Sequence, residues 1–312
     1  MSQAARTAAE GGDRPVAAGL RRRWGQAAIP YLFLAPFTIL FVLFLILPLA
    51  YAFGISVFAD RLVGGTVFVG FENYSEALGD GAFWAGVRRM AILLVLQVPI
   101  MLGLALAFAL LLDSGAAWFT TVFRLGFFIP YAVPAVVAAL IWGYLYGPTF
   151  GPFSQVAGYL GLPAPDFLSE GWMLTSIANI VTWQFTGYNM IILYAALQAV
   201  PQEVRDAGAV DGAKDWQIAL YIRIPLIFPA LLLTAVFSII GTFQLFNEPR
   251  VLQANAPGVI GDNYTPNLYA YTLAFTNQDY NYSAAASFAL GAVVVVFSYL
   301  FMLTTRRREA GR

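Results

Sequence analysis

Six stretches of this chain stay apolar over about the twenty residues that a helix needs to cross the hydrocarbon core of a bilayer. They run from about Pro30 to Phe58, in an uncharged run that ends at Asp60, then over 90–112 (MAILLVLQVPIMLGLALAFALLL) and within 125–147. The remaining three cover about 173–197, 225–246 and 284–304. A water-soluble fold does not absorb this much continuous apolar sequence. Hydrophobic residues make up 60% of the chain and charged residues 11%, against roughly 25% charged in soluble domains. The class that remains is a polytopic membrane protein. Internal prolines such as Pro48, Pro99, Pro130, Pro134 and Pro229 are tolerated where neighbouring helices or cavity water satisfy the carbonyls they free. The expected fold is therefore all-α, with six transmembrane helices.

Lys and Arg in the loops set the orientation. With the N-terminus in the cytoplasm, thirteen of the seventeen basic residues fall inside, and only Arg61, Arg88, Arg89 and Arg250 fall outside. Both termini are expected to be cytoplasmic. The first 25 residues are polar and Arg-bearing, and the apolar run after them is too long for a signal-peptide core. The division is then a cytoplasmic tail over 1–28, a first helix over 29–58, five helices within 85–305, and a basic tail over 306–312. Residues 59–87, 148–172 and 247–283 lie outside. The last of these carries NYTPNLYAYTLAFTNQDYNY, which reads either as an interfacial tyrosine belt or as a docking surface for an extracytoplasmic partner.

The chain has no Cys and no His, which excludes thiolate nucleophiles, Cys/His zinc sites, His-ligated haem and imidazole proton shuttles. It has no G-x-x-x-x-G-K-[ST] phosphate cradle either, and Lys214 follows only Gly212 and Ala213. The span middles are uncharged, which argues against an ion-coupled secondary transporter, since those place an ionisable residue near the midplane. An intramembrane enzyme would be left with Ser/Lys chemistry, and Lys214 lies in a loop. No catalytic residue, no metal site and no nucleic-acid partner is expected.

Against this background one polar island stands out: VPQEVRDAGAVDGAKDWQIALYIRIPL, residues 200–226, with seven charged side chains. Pro201 suits the first position of a helix, and Glu203 and Asp206 complement the positive end of its dipole. Gly208 thins that helix so that another backbone can come close. Asp211-Gly212 punctuates the chain as a turn or as the cap of a second helix, on which Ala213, Trp216 and Leu220 form one apolar stripe. The segment reads as two short helices with a tight corner. A plain solvated connector has no need of Trp216 facing water or of the small corner residues Ala207, Gly208, Ala209, Gly212 and Ala213. An inter-subunit contact accounts for both.

This stretch resembles the coupling segment, or EAA loop, of permease subunits in bacterial binding-protein-dependent ABC importers. Pro201, Ala207, Asp211, Gly212, Ala213, Ile222 and Pro225 match the family pattern. Asp206 replaces the usual Glu, Gly208 the second Ala, Ile224 the Leu, and Ala219 stands where Phe is usual. YLFLAPFTILFVLFLILPLAYAFGISVF, GFENY, FRLGFFIPYAVPAVVAALIW, WQFTGYNMIILYAALQAVP and FQLFNEPRVLQANAP resemble further parts of the carbohydrate branch (maltose/glycerol-phosphate type) of the type I permeases, from about residue 30 to 305.

The resemblance implies a type I ABC importer permease domain over 85–305 with a coupling loop over 199–225, in the cytoplasmic (inner) membrane. It implies partners: a second permease subunit, two copies of an ABC ATPase that would bind ATP and Mg, and an extracytoplasmic sugar-binding protein. The chain itself would hold no cofactor. Glu203, Asp206, Ala207, Gly208, Asp211, Gly212, Ala213 and Trp216 would face the ATPase. Tyr131, Gln184, Tyr188, Ser238 and Thr242 resemble sugar-contacting positions, with Trp183 and Asn189 near enough to join them. Taken singly, each reads first as an interhelical hydrogen bond or a packing aromatic, and the set is worth more than its members. Ala135, Val181 and Phe185 fall where the maltose-type relative carries small, polar or glycine residues, so an identical pocket is not expected. An anionic cargo such as glycerol phosphate would want a mid-span Arg or Lys. None is present, and a neutral sugar is favoured over it.

Overall fold

A computed structural model describes residues 30–61, 63–114 and 119–309, with side chains as far as Thr305. The tail expected over 1–28 and the side chains of the basic tail over 306–312 lie outside the described residues. The chain divides into two units, residues 1–54 and 55–312. Helix α1 (Pro30–Ser56) makes up the described part of the first unit. It is apolar all round, with a π-helical turn at Val42–Ile46, and from Pro30 to Gly54 every residue except Ala35 and Ala52 is exposed. A helix with no polar face suits lipid or a partner, not water.

The second unit opens with the one departure from the all-helical expectation among the described residues. Strands β1 (Phe58–Arg61) and β2 (Gly65–Phe68) pair antiparallel, Phe58 opposite Phe68. Helix α2 (Glu72–Gly79) brackets this hairpin: Asn73 Nδ2 donates to the carbonyls of Ser56 and Phe58, both at 2.8 Å. Then follow α3 (Gly81–Asp113), α4 (Thr120–Ala132), α5 (Ala135–Leu145), α6 (Pro152–Tyr159) and α7 (Glu170–Gln198). The polar island forms α8 (Gln202–Val210) and α9 (Asp215–Ile218), the latter running on through a π-helical turn at Ala219–Arg223. Beyond it lie α10 (Phe228–Phe243), α11 (Asn247–Leu252), α12 (Pro266–Tyr271) and α13 (Tyr280–Glu309).

Four described helices are long and apolar enough to cross a membrane: α1, α3, Phe228–Leu252 and Tyr280–Thr305. The pair α4–α5, bent by 94°, makes a fifth if it is one broken span. The sixth expected span corresponds to α7. At 29 residues it is about 44 Å long at 1.5 Å per residue, but it falls short on apolarity. Its polar side chains Ser176, Gln184, Thr186 and Asn189 are buried inside the protein, not presented to lipid. Such a pattern belongs to the central helix of a bundle.

That helix is where packing is tightest. A Cβ on Gly187 would stand 1.7 Å from the Phe127 carbonyl oxygen, so α4 crosses α7 backbone to backbone. On one side of the crossing Met90, Leu93, Ile177, Ile180 and Phe243 pack into one apolar core, and on the other Ala105, Leu112, Met190, Leu193 and Leu197 form a second.

The two ends of the bundle are tied by polar contacts. At the start of α3, Asp80 caps the helix by accepting from the Ala82 N–H at 2.8 Å, and also accepts from the hydroxyls of Tyr269 and Tyr282. Burial and the neighbouring Asp80 carboxylate push the Tyr269 phenol up to about 12, so it stays a donor. Arg89 donates to the carbonyls of Asn263 and Tyr264 and lies 4.7 Å over the Tyr264 ring, which gives one of the two adjacent arginines of α3 a structural purpose. At the far end of α3, Asp113 forms an ion pair with Arg223 and accepts from Gln198 Nε2 at 2.6 Å. The two charged side chains are 4% and 10% exposed. This knot joins the ends of α3 and α7 to the polar island.

Two outcomes follow from this packing. Gly187→Ala should cost about 3 kcal/mol or more, because neither backbone can yield, seen as a lower midpoint of thermal unfolding in detergent. Arg223→Ala should cost about 3–5 kcal/mol by stranding a buried carboxylate. The reversed pair Asp113→Arg with Arg223→Asp should recover part of the loss.

Candidate functional site: a polar cavity and an exposed helical corner

Two breaks in otherwise helical sequence meet around one cavity of about 330 Å³. The first lies between α4 and α5, at Val133-Pro134. The second lies between α10 and α11, where Gln244, Leu245 and Phe246 leave the helix. Non-helical backbone at membrane depth persists where it lines a cavity. The lining includes Gln97 and Met101 from α3, Tyr131, then Val181, Phe185, Tyr188 and Asn189 from α7, and Phe237, Ser238 and Thr242 from α10. Gln244 to Glu248 complete it.

Aromatic rings form one wall. Tyr131 stacks on Tyr188 with centroids 4.6 Å apart and meets Phe185 edge-on at 5.8 Å. The lining also carries hydroxyl and amide groups. Ser238 donates to the Thr234 carbonyl and Thr242 to the Ser238 carbonyl, each at 2.8 Å, so both hydroxyl protons are engaged along the helix and the oxygen lone pairs remain. Asn189 Nδ2 donates to the Phe185 carbonyl at 3.0 Å, leaving its Oδ1.

Five of the seven expected pathway residues thus line one cavity: Tyr131, Tyr188, Asn189, Ser238 and Thr242. Gln184 and Trp183 do not. Gln184 is buried, and its Nε2 donates at 2.9 Å to the Val133 carbonyl, satisfying backbone freed at the α4–α5 break. Trp183 stands edge-on against Trp142 at 5.8 Å, beside a separate aromatic hollow lined by Trp142, Tyr146, Phe153, Phe167 and Trp172. Ala135, Val181 and Phe185 line the cavity as well. Sequence reasoning missed Gln97, Gln244, Asn247 and Glu248. Their signal was polarity next to an apolar run, which their place at span ends or beside a proline disguised.

The polar island folds as two short helices around a corner. Asp211 ends α8, and Gly212 takes a left-handed backbone, φ 81°. Lys214, not Asp211, precedes the second helix, its N–H donating to Gln217 Oε1 at 2.8 Å. Gly208 is buried with Ile218 and Ile222 over it, so its lack of a side chain lets α9 close against α8. Glu203, Asp206, Ala207, Asp211 and Gly212 are exposed, and Ala213 is half-buried. Trp216 is 58% exposed, and Val210, Leu220 and Tyr221 are exposed beside it. Among the described residues this apolar surface is thus left exposed.

Comparison with known proteins now bears on this arrangement. Residues 99–309 match the family described as "binding-protein-dependent transport system inner membrane component". The lactose transport system permease protein LacF of Rhizobium radiobacter is 29% identical over 89% of this chain and 94% of its own length. A probable ABC transporter permease protein of Pyrococcus horikoshii is 34% identical over 88% and 95%. Among solved structures, a bacterial alginate ABC transporter in complex with alginate pentasaccharide-bound periplasmic protein shares the fold with a TM-score of 0.77, at 20% identity over 94% of this chain and 97% of that one. The chain belongs to the family of binding-protein-dependent transport system inner membrane components, and is thus a permease subunit of an ABC importer.

Proposed function

We propose that this chain forms half of the translocation pathway of an ATP-driven sugar importer, with six spans and both termini in the cytoplasm. A second permease subunit completes the pathway, two copies of a separate ABC ATPase drive it, and an extracytoplasmic binding protein delivers the sugar. The observation that carries this reading is the cavity. Aromatic rings and hydroxyl and amide groups lining one cavity are the chemistry that holds a sugar, whose C–H face stacks on rings while its hydroxyls hydrogen-bond. The lactose transport relative supports the same cargo class.

Six spans follow if α7 and the bent α4–α5 pair each cross once. The central position of α7 explains why its composition alone is marginal. The two polar ties sit at opposite ends of α3, with the Arg89 tie at one and the polar island at the other. Placing the island inside agrees with the excess of Lys and Arg there.

Coupling runs through the corner at Gly212. Glu203, Asp206, Ala207, Asp211 and Trp216 offer the ATPase an exposed mixed surface, with Gly208 and Ala213 shaping it. The knot of Asp113, Arg223 and Gln198 carries movement of that corner to the ends of α3 and α7. Gly212→Trp should abolish ATP-driven uptake in the assembled complex while expression and basal ATP hydrolysis persist. Gly212→Asn, which tolerates a left-handed backbone, should retain uptake. Normal uptake by the Trp variant would refute the coupling assignment, and uptake that stops when the proton gradient collapses at high ATP would refute the ABC mechanism.

A further inference from the structure

Among the residues lining the cavity, Glu248 alone carries a carboxyl group, and Lys and Arg are absent. It is 4% exposed and sits in the first turn of α11, directly after the non-helical segment Gln244–Phe246. The ion pair among the described residues joins Asp113 to Arg223, at the other polar site. The arginine nearest to Glu248 in sequence, Arg250, turns instead to Gln253 Oε1 at 2.8 Å and to the Tyr271 ring at 5.7 Å. The donor within reach of the Glu248 carboxyl is its own backbone N–H.

Two costs bear on a group placed this way. An ionised carboxylate taken out of water with no cation beside it is expensive, and the uncharged form avoids that cost. The uncharged form still holds a buried donor and a buried acceptor that want partners. A sugar hydroxyl answers both, since it donates and accepts as the protonated carboxyl does. Gln244 and Asn247 line the cavity close by in the chain, and their amides carry the same two functions. Tyr131 and Tyr188 add hydroxyls to the stacked rings. This lining is suited to exchanging hydrogen bonds, not to balancing a charge.

We propose that the Glu248 carboxyl is a sugar-binding group of the pathway, which grips a hydroxyl of the cargo by hydrogen bonds in its uncharged form. This rests on the sugar-import reading above and names the residue that serves it at the α10–α11 break. A carboxamide can take over that role, whereas an alkyl side chain of similar size cannot.

The test uses the complete transporter in proteoliposomes, supplied with ATP and saturating binding protein, with lactose, arabinotriose and maltotriose as probes. Uptake is measured for wild type, Glu248→Gln and Glu248→Leu, matched for the amount of assembled complex. Glu248→Gln should keep uptake within about twofold of wild type. Glu248→Leu should lower it roughly tenfold or more, the loss expected when a buried hydrogen-bond partner is removed. Infrared difference spectra with and without sugar give a readout that a merely structural role would not move. Wild type should show a shift in the carbonyl stretch of a protonated carboxyl, and Glu248→Gln should lack it. Should Glu248→Leu fail to assemble, the Gln variant and the spectra still decide. Normal uptake by Glu248→Leu or a tenfold loss in Glu248→Gln would overturn the inference. A carboxyl feature missing from wild type, or unchanged in Glu248→Gln, would overturn it too. No uptake of any probe by wild type would instead remove the sugar reading on which the inference stands.

Discussion

Lipid offers no hydrogen bond to a freed backbone group, and that constraint organises this structure. At three places where the chain breaks or distorts a helix, a side chain answers. Gln184 donates to the Val133 carbonyl at the α4–α5 break. Asn267 Nδ2 donates to the Gln244 carbonyl at the α10–α11 break, at 2.8 Å. Ser283 Oγ donates to the Ala270 carbonyl at 2.7 Å, near the π-helical turn that follows α12. With these groups satisfied locally, two spans can be interrupted at one level. The interruptions expose the polar lining of a cavity inside an otherwise apolar bundle.

The same constraint explains why the ends of the bundle are rigid. A buried ion pair gains little net stability over a well-packed apolar pair, yet losing one partner is severe. The Asp113–Arg223 contact, with Gln198 as third member, is thus a joint that resists opening more than a spring that adds strength. It fastens a surface helix to two long helices, one of which, α7, supplies the aromatic wall of the cavity. On the proposed coupling, movement imposed on Trp216 and its neighbours would reach Tyr188 and Asn189 through this joint and α7.

Much of this was legible in the sequence. Apolar runs marked the long helices, although α3 begins at Gly81, nine residues before its run, and the third run is two helices bent by 94°; the polar island announced a two-helix corner because Gly212, Gly208 and Pro201 have few other uses. Four candidate pathway residues taken from the resemblance, Tyr131, Tyr188, Ser238 and Thr242, line one cavity, together with Asn189, chosen for its nearness to them. What escaped was decided by three-dimensional register. Gln184 and Tyr188 are four residues apart on α7, yet one braces backbone and the other lines the cavity. Gly187 looked like any helical glycine, although a carbonyl of α4 fills the place of its side chain. The partnership of Asp113 with Arg223, 110 residues away along the chain, and the hairpin held by Asn73 leave no local pattern. Glu248 sat at a span end, where a carboxylate is unremarkable until the helix is seen to break beside it.

The account depends most on this polypeptide being moved by an engine it does not contain. The direct measurement compares sugar accumulation in liposomes holding the purified chain alone with liposomes holding the complete complex from native membranes, both supplied with binding protein, sugar and ATP. Accumulation above the external concentration only with the complex is the predicted result. Uphill accumulation by the chain alone would contradict the account at its root.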